Sequence, residues 1–353
     1  MARELTNLGE QPRIDDGGVS WDGDARSLMR ANPWLRTASR VLVRVAQFPA
    51  TEFYELEKRA KKLEWDRFLA PGAQPDFRVT TRKSKLYHSD AIAERLRKAI
   101  RSGRTSPGGY APTADGQLFV VRVVRDVFEI SADSSGALLH MRGYRQAVAK
   151  APLRETLAAA LLLANEWGGE VPLVDPMCGS GTIPIEAALI ARRLAPGLRR
   201  DFAFQNWPSY TAAVWNDVLV DAKAAALAGS PVVIQGSDRD AGAIASATAN
   251  AERAGVGADV TFSVAAISAI APLGGTGLIA TNPPYGKRVG KTSNVRNLYA
   301  QLGNVVRDRC RDWQLSLYAA DERLASHLGI PLRVVFRTTN GGIKIAALAG
   351  RVR

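Results

Sequence analysis

The chain has 353 residues, 46% of them hydrophobic, and a formal net charge of +13 at pH 7. That length suggests two or three domains with a sizeable core, and no apolar run approaches the roughly 18 residues a membrane-spanning helix needs. Two cysteines, Cys178 and Cys310, exclude a disulfide framework or a cysteine-based zinc site, and the three scattered histidines give no reason to expect a metal. The opening residues, MARELTNLGEQPRIDDGG, are too polar for a signal peptide. The expectation is a cytoplasmic, metal-free, monomeric protein, off the membrane, whose charge suits a polyanionic partner.

Residues 36–47, RTASRVLVRVAQ, alternate like a half-buried strand, and 52–65 read as a helix with Leu56, Ala60 and Leu63 on one face. Arg78 to His88 reads as a strand that runs into a basic loop. Ser89 is a candidate N-cap for a helix through Arg101, with Ile92, Leu96 and Ile100 as its apolar face. Between Arg78 and Arg104 lie nine basic residues. Arg78, Arg82, Lys83, Lys85, Arg97, Lys98, Arg101 and Arg104 are the candidate phosphate contacts, each able to release counterions from a nucleic acid. A solvated helix face is the plainer explanation of such a run. Gln117 to Asp133 supplies two more strands, which completes a small α+β domain.

The character changes near Lys150. Pro152 suits a first helical turn, and LRETLAAALLLANEW continues as a helix. Strands and helices then alternate: VPLVD and a helix through Ala191, VVIQGSD and a helix through Ala254, VTFSV, GLIATN, a helix near Tyr299 to Arg311, LSLYAA, and a final pair at RVVFRTT and IKIAALA. This pattern predicts a doubly wound, mostly parallel sheet with its ligands at the carboxyl ends of the strands. An aromatic-rich stretch, Phe202 to Trp215, interrupts the first crossover.

Three of those strand ends carry candidate chemistry. The first opens a loop, DPMCGSGT, comprising Asp175, Pro176, Met177, Cys178, Gly179, Ser180, Gly181 and Thr182. Its glycines permit a tight turn and the close approach of a ligand, and the following helix directs its N-terminal amides there. The loop lacks both G-x-G-x-x-G and a P-loop Gly-Lys-Ser/Thr, so it favours S-adenosylmethionine over NAD or a nucleoside triphosphate. The second strand ends in GSDRD, where Asp238, followed by Arg239, sits where an acid accepts from ribose hydroxyls; Asp240 is the alternative helix cap. The third ends in TNPPYG. Prolines cannot continue a ladder, so the strand stops in a stiff corner. This is either a rigid turn with a packed tyrosine or a clamp for a flat group that bears an NH2. In the clamp, Asn282 and the carbonyl of Pro283 accept from the amine, Pro284 stiffens the corner, and Tyr285 stacks on the base.

DPMCGSGTIPIEAA followed by TNPPYG resembles the amino-methylating methyltransferases. The segment LLHMRGYRQAVAKAPLRETLAAAL (Leu138 to Leu161) resembles, more narrowly, the bacterial THUMP-domain guanine-N2 RNA methyltransferases that act on large-subunit ribosomal RNA. Their relatives act on the tRNA acceptor stem. The resemblance covers most of the chain, including GGVSWDGD (Gly17 to Asp24). It implies a partial ferredoxin-like element at 1–35, a THUMP RNA-binding domain at 36–146 and a Rossmann-like catalytic domain at 147–353. The implied cofactor is S-adenosyl-L-methionine and the implied partner RNA. Asp175, Cys178, Gly179, Ser180 and Gly181 would line the methionine side, with Leu153 and Thr156 closing over it, and Asp238 would hold the ribose. Asn282, Pro283 and Tyr285 would hold the guanine. Two departures stand out. Ala265 and Ala266 occupy the place after the third strand where family members carry an acid for the adenine amine, so backbone groups and apolar contact would hold the adenine. The strand that usually precedes the first helix is also missing, so the first element is expected to be truncated or to begin upstream. A DNA adenine-N6 methyltransferase and an RNA-binding protein with a decayed site are the competing readings.

Overall fold

The computed structural model describes residues 1–103, 116–145, 153–271, 273–284 and 292–353. They divide into two compact units, residues 1–139 with 199–219, and residues 140–198 with 220–353.

The first unit begins with α1 (Ala2–Asn7), a short hairpin of β1 (Arg13–Asp15) and β2 (Gly18–Ser20), and α2 (Ala25–Trp34). The Asp24 side chain caps α2 by accepting from the Ser27 amide. Next come β3 (Leu42–Pro49), α3 (Phe53–Ala60), β4 (Pro75–Arg82), α4 (Ser89–Gly103), β5 (Gln117–Val124) and β6 (Val127–Asp133). The four longer strands form one sheet in the order β3-β6-β5-β4, in which β4 and β5 are parallel and the other pairs antiparallel. Ile92, Leu96 and Ile100 of α4 are fully buried, as their spacing predicts. Two boundaries differ from the sequence pattern. The strand expected from residue 36 starts at Leu42. The helix expected to residue 65 stops at Ala60, whose carbonyl accepts the Trp65 indole N–H. The aromatic stretch belongs to this unit's core: Phe202, Phe204, Trp207 and Trp215 are all buried there, with the rings of Phe202, Phe204 and Trp215 stacked or edge-on at 5.3–5.9 Å and Trp207 edge-on to Phe68 at 4.9 Å.

The second unit contains α5 (Glu155–Ala164), β7 (Leu173–Asp175) and α6 (Thr182–Ala191). Helix α7 (Ala212–Ala224) leads to β8 (Ile234–Asp238), α8 (Ala241–Ala254), β9 (Thr261–Val264) and β10 (Leu278–Thr281). After α9 (Thr292–Arg309) come β11 (Gln314–Ala319), the short α10 (Glu322–Ala325) and an antiparallel pair, β12 (Arg333–Asn340) and β13 (Ile343–Arg351). The seven-stranded sheet runs β12-β13-β11-β10-β7-β8-β9. From β11 to β9 every pair is parallel, and β13 is antiparallel to β11. Every residue of β7, β10 and α6 is buried, which is why these segments read as apolar runs without alternation. Chain order reverses between β7 and β10, and in open α/β sheets that crevice at the carboxyl ends is where ligands bind. This is an α/β, Rossmann-like unit preceded by a smaller α+β one. Among the described residues no helix is long and apolar enough to cross a membrane.

Candidate active site

Three neighbouring strand ends, those of β8, β7 and β10, are tied together by carboxylates. Asp175 closes β7 and is only 1% exposed. Its Oδ1 accepts from the Met177 amide (3.1 Å) and from the Thr281 hydroxyl of β10 (2.7 Å). It therefore sets the first bend of the glycine loop and fastens that loop to the Asn-Pro-Pro corner. Burial pushes its pKa up to about 7, against the opposing pull of the Thr281 and Met177 hydrogen bonds. On the other side, Asp238 Oδ2 accepts from the Gly179 amide (3.0 Å) and its Oδ1 from the Asp240 amide (3.0 Å). Asp240 caps α8 by accepting from Gly242 and Ala243, so Asp238 is spared that task and stays partly exposed at the strand tip. Arg239 beside it is exposed.

The two glycines have different work. Gly179 sits at φ +53°, and a Cβ built there meets nothing within 4 Å. Gly181, at φ +83°, starts α6, and a Cβ there would lie 2.9 Å from Ala247 Cβ and 3.0 Å from Phe262. Gly179 thus leaves room for a ligand, and Gly181 lets α6 approach α8. Pro176 and Thr182 are buried on either side of the loop. The Cys178 amide donates to the Ser237 carbonyl (2.9 Å), and burial, with Asp175 and Asp238 nearby, pushes its thiol far above the usual range. A thiol so disfavoured as thiolate is no nucleophile. The Ser180 carbonyl accepts from Asn250 Nδ2 (3.0 Å), and Asn250 Oδ1 accepts from Arg253 (2.5 Å), which also donates to the Tyr144 carbonyl (2.7 Å). Sequence reasoning missed Asn250, which is fully buried; its one local signal is a lone amide on an alanine-rich helix.

The corner after β10 is built differently. Thr281 is fully buried and tied to Asp175. Asn282 follows, part-buried, with Oδ1 enclosed and without a hydrogen-bond partner among the described residues. Pro283 is buried and Pro284 exposed; Tyr285 lies outside the described residues. A buried amide oxygen without a donor costs roughly 1–3 kcal/mol, so such an atom marks a place where a donor belongs.

Leu153 and Thr156 are 5% and 6% exposed, and Leu153 lies in the core of the second unit. Arg145 donates to the Leu153 carbonyl (2.9 Å) and pairs with Glu155 at 2.8 Å. At the tip of β9 the Ala265 amide donates to the Asp238 carbonyl, Ala266 is exposed, and Val264 is 56% exposed.

Of the basic residues, Arg78, Arg82, Lys83, Lys85, Lys98 and Arg101 are exposed. Arg97 is partly engaged, 3.7 Å from Asp76 and 5.8 Å from the Phe77 ring. Arg104 lies outside the described residues.

Residues 142–344 match the model of the RMKL-like methyltransferase domain, and residues 1–42 match the RlmL ferredoxin-like domain. The chain belongs to the RMKL-like methyltransferase family. A relative named "Putative RNA methyltransferase slr0064", from Synechocystis sp., is 33% identical over 98% of this chain and 92% of its own length. The "Ribosomal RNA large subunit methyltransferase K/L" of Syntrophotalea carbinolica is 36% identical over 99% of this chain, which spans about half (51%) of that longer relative. The crystal structure of SMU.472 complexed with SAH superposes with a TM-score of 0.90 at 29% identity, covering 100% of this chain and 94% of the other. The cofactor of this methyltransferase is S-adenosyl-L-methionine. The residues present fit it: open space stands over Gly179, and the partly exposed carboxylate of Asp238 at the neighbouring strand tip would accept from ribose hydroxyls.

Proposed function

We propose that this RMKL-like methyltransferase methylates the exocyclic N2 of a guanosine in structured RNA, with 23S ribosomal RNA as substrate. A guanosine of the tRNA acceptor stem is the alternative. The observation that carries the reading is Oδ1 of Asn282, without a partner among the described residues and next along the chain from a threonine hydrogen-bonded to the head of the glycine loop. An exocyclic amine brings two N–H donors, which Asn282 Oδ1 and the Pro283 carbonyl accept. Held so, the nitrogen keeps its lone pair out of conjugation with the ring. S-adenosyl-L-methionine, when bound, supplies an electrophilic methyl. The protein contributes position: the Asp175–Thr281 bond fixes the corner against the loop, and Asp238 fixes the loop's Gly179. No side chain of the motif is a strong base, so the released proton passes to water. Tyr285, by its place in the sequence, supplies a stacking face. Relatives named as RNA and ribosomal RNA methyltransferases support an RNA substrate. In this reading residues 36–146 form a THUMP domain that docks on the RNA.

Adenine N6 is also an exocyclic amine, so a DNA adenine methyltransferase remains the competing enzyme. Nucleoside mass spectrometry of rRNA and tRNA from a strain that lacks the gene tests the choice. Loss of N2-methylguanosine from the large-subunit rRNA is expected; loss from tRNA alone moves the assignment to the alternative. Unchanged RNA with loss of N6-methyladenine from DNA overturns it.

A further inference from the structure

In the first unit, the loop after β4 and the β5–β6 turn are built into one corner. Strands β4 and β5 end in register, Arg82 beside Val124, and β5 returns through a two-residue turn, Arg125–Asp126, that pairs Val124 with Val127. The Arg125 amide donates to the Arg82 carbonyl (3.1 Å), the Lys85 amide to Asp126 Oδ1 (2.6 Å), and the Asp126 amide to Ser84 Oγ (3.1 Å). Buried Leu86 anchors the loop, and the Thr81 hydroxyl donates to the Tyr87 carbonyl (3.2 Å). The corner is therefore fixed before any ligand arrives.

What it displays is unusual for a turn. Lys83, Arg125 and Asp126 lie in the left-handed region, at φ 51°, 51° and 63°. Such positions favour glycine, asparagine or aspartate. Asp126 serves the corner with its carboxylate, but Lys83 and Arg125 are held there at a cost in strain with no side-chain partner among the described residues to explain them. Arg82, Lys83, Lys85 and Arg125 are all exposed, and none makes an ion pair among the described residues. Asp126, the acid of the β5–β6 turn, is engaged by the Lys85 amide. The basic helix α4 differs: Arg95 pairs with Glu57 at 2.8 Å and Arg97 lies 3.7 Å from Asp76. Beside the four free cations stands Tyr87, 63% exposed, its ring 4.1 Å from that of His88.

We propose that this corner holds an unpaired nucleotide of the RNA substrate, with Tyr87 stacking the base and Arg82, Lys83, Lys85 and Arg125 holding the adjacent phosphates. The proposal rests on the RNA reading given above. Duplex RNA offers phosphates to the cations but no base face to the tyrosine, so the ring is what points to an unpaired base.

The test is fluorescence anisotropy of the full chain with two labelled RNA hairpins of the same stem, each closed by a non-nucleotide linker so that neither loop carries an unpaired base, one blunt and one with a single-stranded tail. Wild type should prefer the tailed hairpin by about tenfold, the scale of one base stacked on an aromatic ring. Tyr87→Ala should lower tailed binding to the blunt value, and Tyr87→Phe should keep the preference. Replacing Lys83 and Lys85 with alanine should weaken both hairpins and make the salt dependence shallower by roughly two phosphate contacts. Unchanged far-UV circular dichroism and denaturant unfolding in each variant show that the fold is intact. If wild type binds RNA without preferring the tail, or Tyr87→Ala keeps the preference, the proposal is overturned and the RNA reading stands. If wild type binds neither hairpin, the RNA reading itself fails. Equal competition by polyglutamate would show a site for acidic protein and overturn the proposal as well.

Discussion

The glycine loop and the Asn-Pro-Pro corner end adjacent parallel strands, yet one is closed upon itself and the other is left open. In the loop, Asp175, Asp238 and Asn250 each satisfy a backbone group of the loop or its flank. At the corner, among the described residues, the only acceptor enclosed without a donor is Asn282 Oδ1. The difference separates two requirements. A cofactor used in every turnover is met by a loop whose shape is set in advance. In the function proposed above, the substrate amine would be met by an acceptor whose own hydrogen-bonding is completed only when substrate arrives, which would give binding energy to the reacting group.

The largest effect should come from breaking the open side. Asn282→Ala is expected to lower methyl transfer by a factor on the order of 10²–10³, as for loss of one polar group at a reacting centre, while calorimetry finds SAH affinity within about threefold of wild type. Equal losses in both would mean the two regions are not separate. Next come the two glycines. Gly181→Ala forces a Cβ against Ala247 and Phe262 in left-handed backbone; denaturant unfolding should show destabilisation of about 2 kcal/mol or more. Gly179→Ala has open space around it but places a Cβ in left-handed backbone, at φ +53°; it should cost about 1 kcal/mol of stability, less than Gly181→Ala, and lower SAH affinity about tenfold, because its methyl takes space kept for the ligand. Asn250→Ala should raise the cofactor KM roughly fivefold with kcat little changed, the scale of one lost buried hydrogen bond.

The smallest effect concerns pH. Burial raises Asp175 and Glu155 from ordinary carboxylate values to about 7. The folded state then holds these protons more tightly than the unfolded chain. Their contribution to stability is full below about pH 4 and is lost as pH rises through about 7. Asp175→Asn keeps an acceptor for Thr281 and Met177, so its unfolding free energy should fall less than that of wild type between pH 4 and 7.

Much of this was legible from residue order. Loop and corner announce themselves as DPMCGSGT and TNPPYG, and the spacing of Ile92, Leu96 and Ile100 gave the buried face of α4. What the residue order could not supply was which strands lie side by side. Thr281 meets Asp175 across 106 positions and Asn250 meets Ser180 across 70, and only the sheet order brings them together. Local pattern also overran its elements. The charged periodicity continues past Ala60, but the indole of Trp65 takes that carbonyl and the helix ends. Free and paired cations look alike in a sequence; Arg97 was expected to be available, whereas Asp76 and the Phe77 ring lie close to it.

The most direct test is a crystal structure of the chain with SAH and a short RNA that contains the target guanosine. The homocysteine end is expected over Gly179, the ribose at Asp238, and the guanine N2 within hydrogen-bond distance of Asn282 Oδ1, on the side that faces the sulfur. SAH bound away from the loop, or Asn282 Oδ1 satisfied by a protein donor with the base elsewhere, would contradict it.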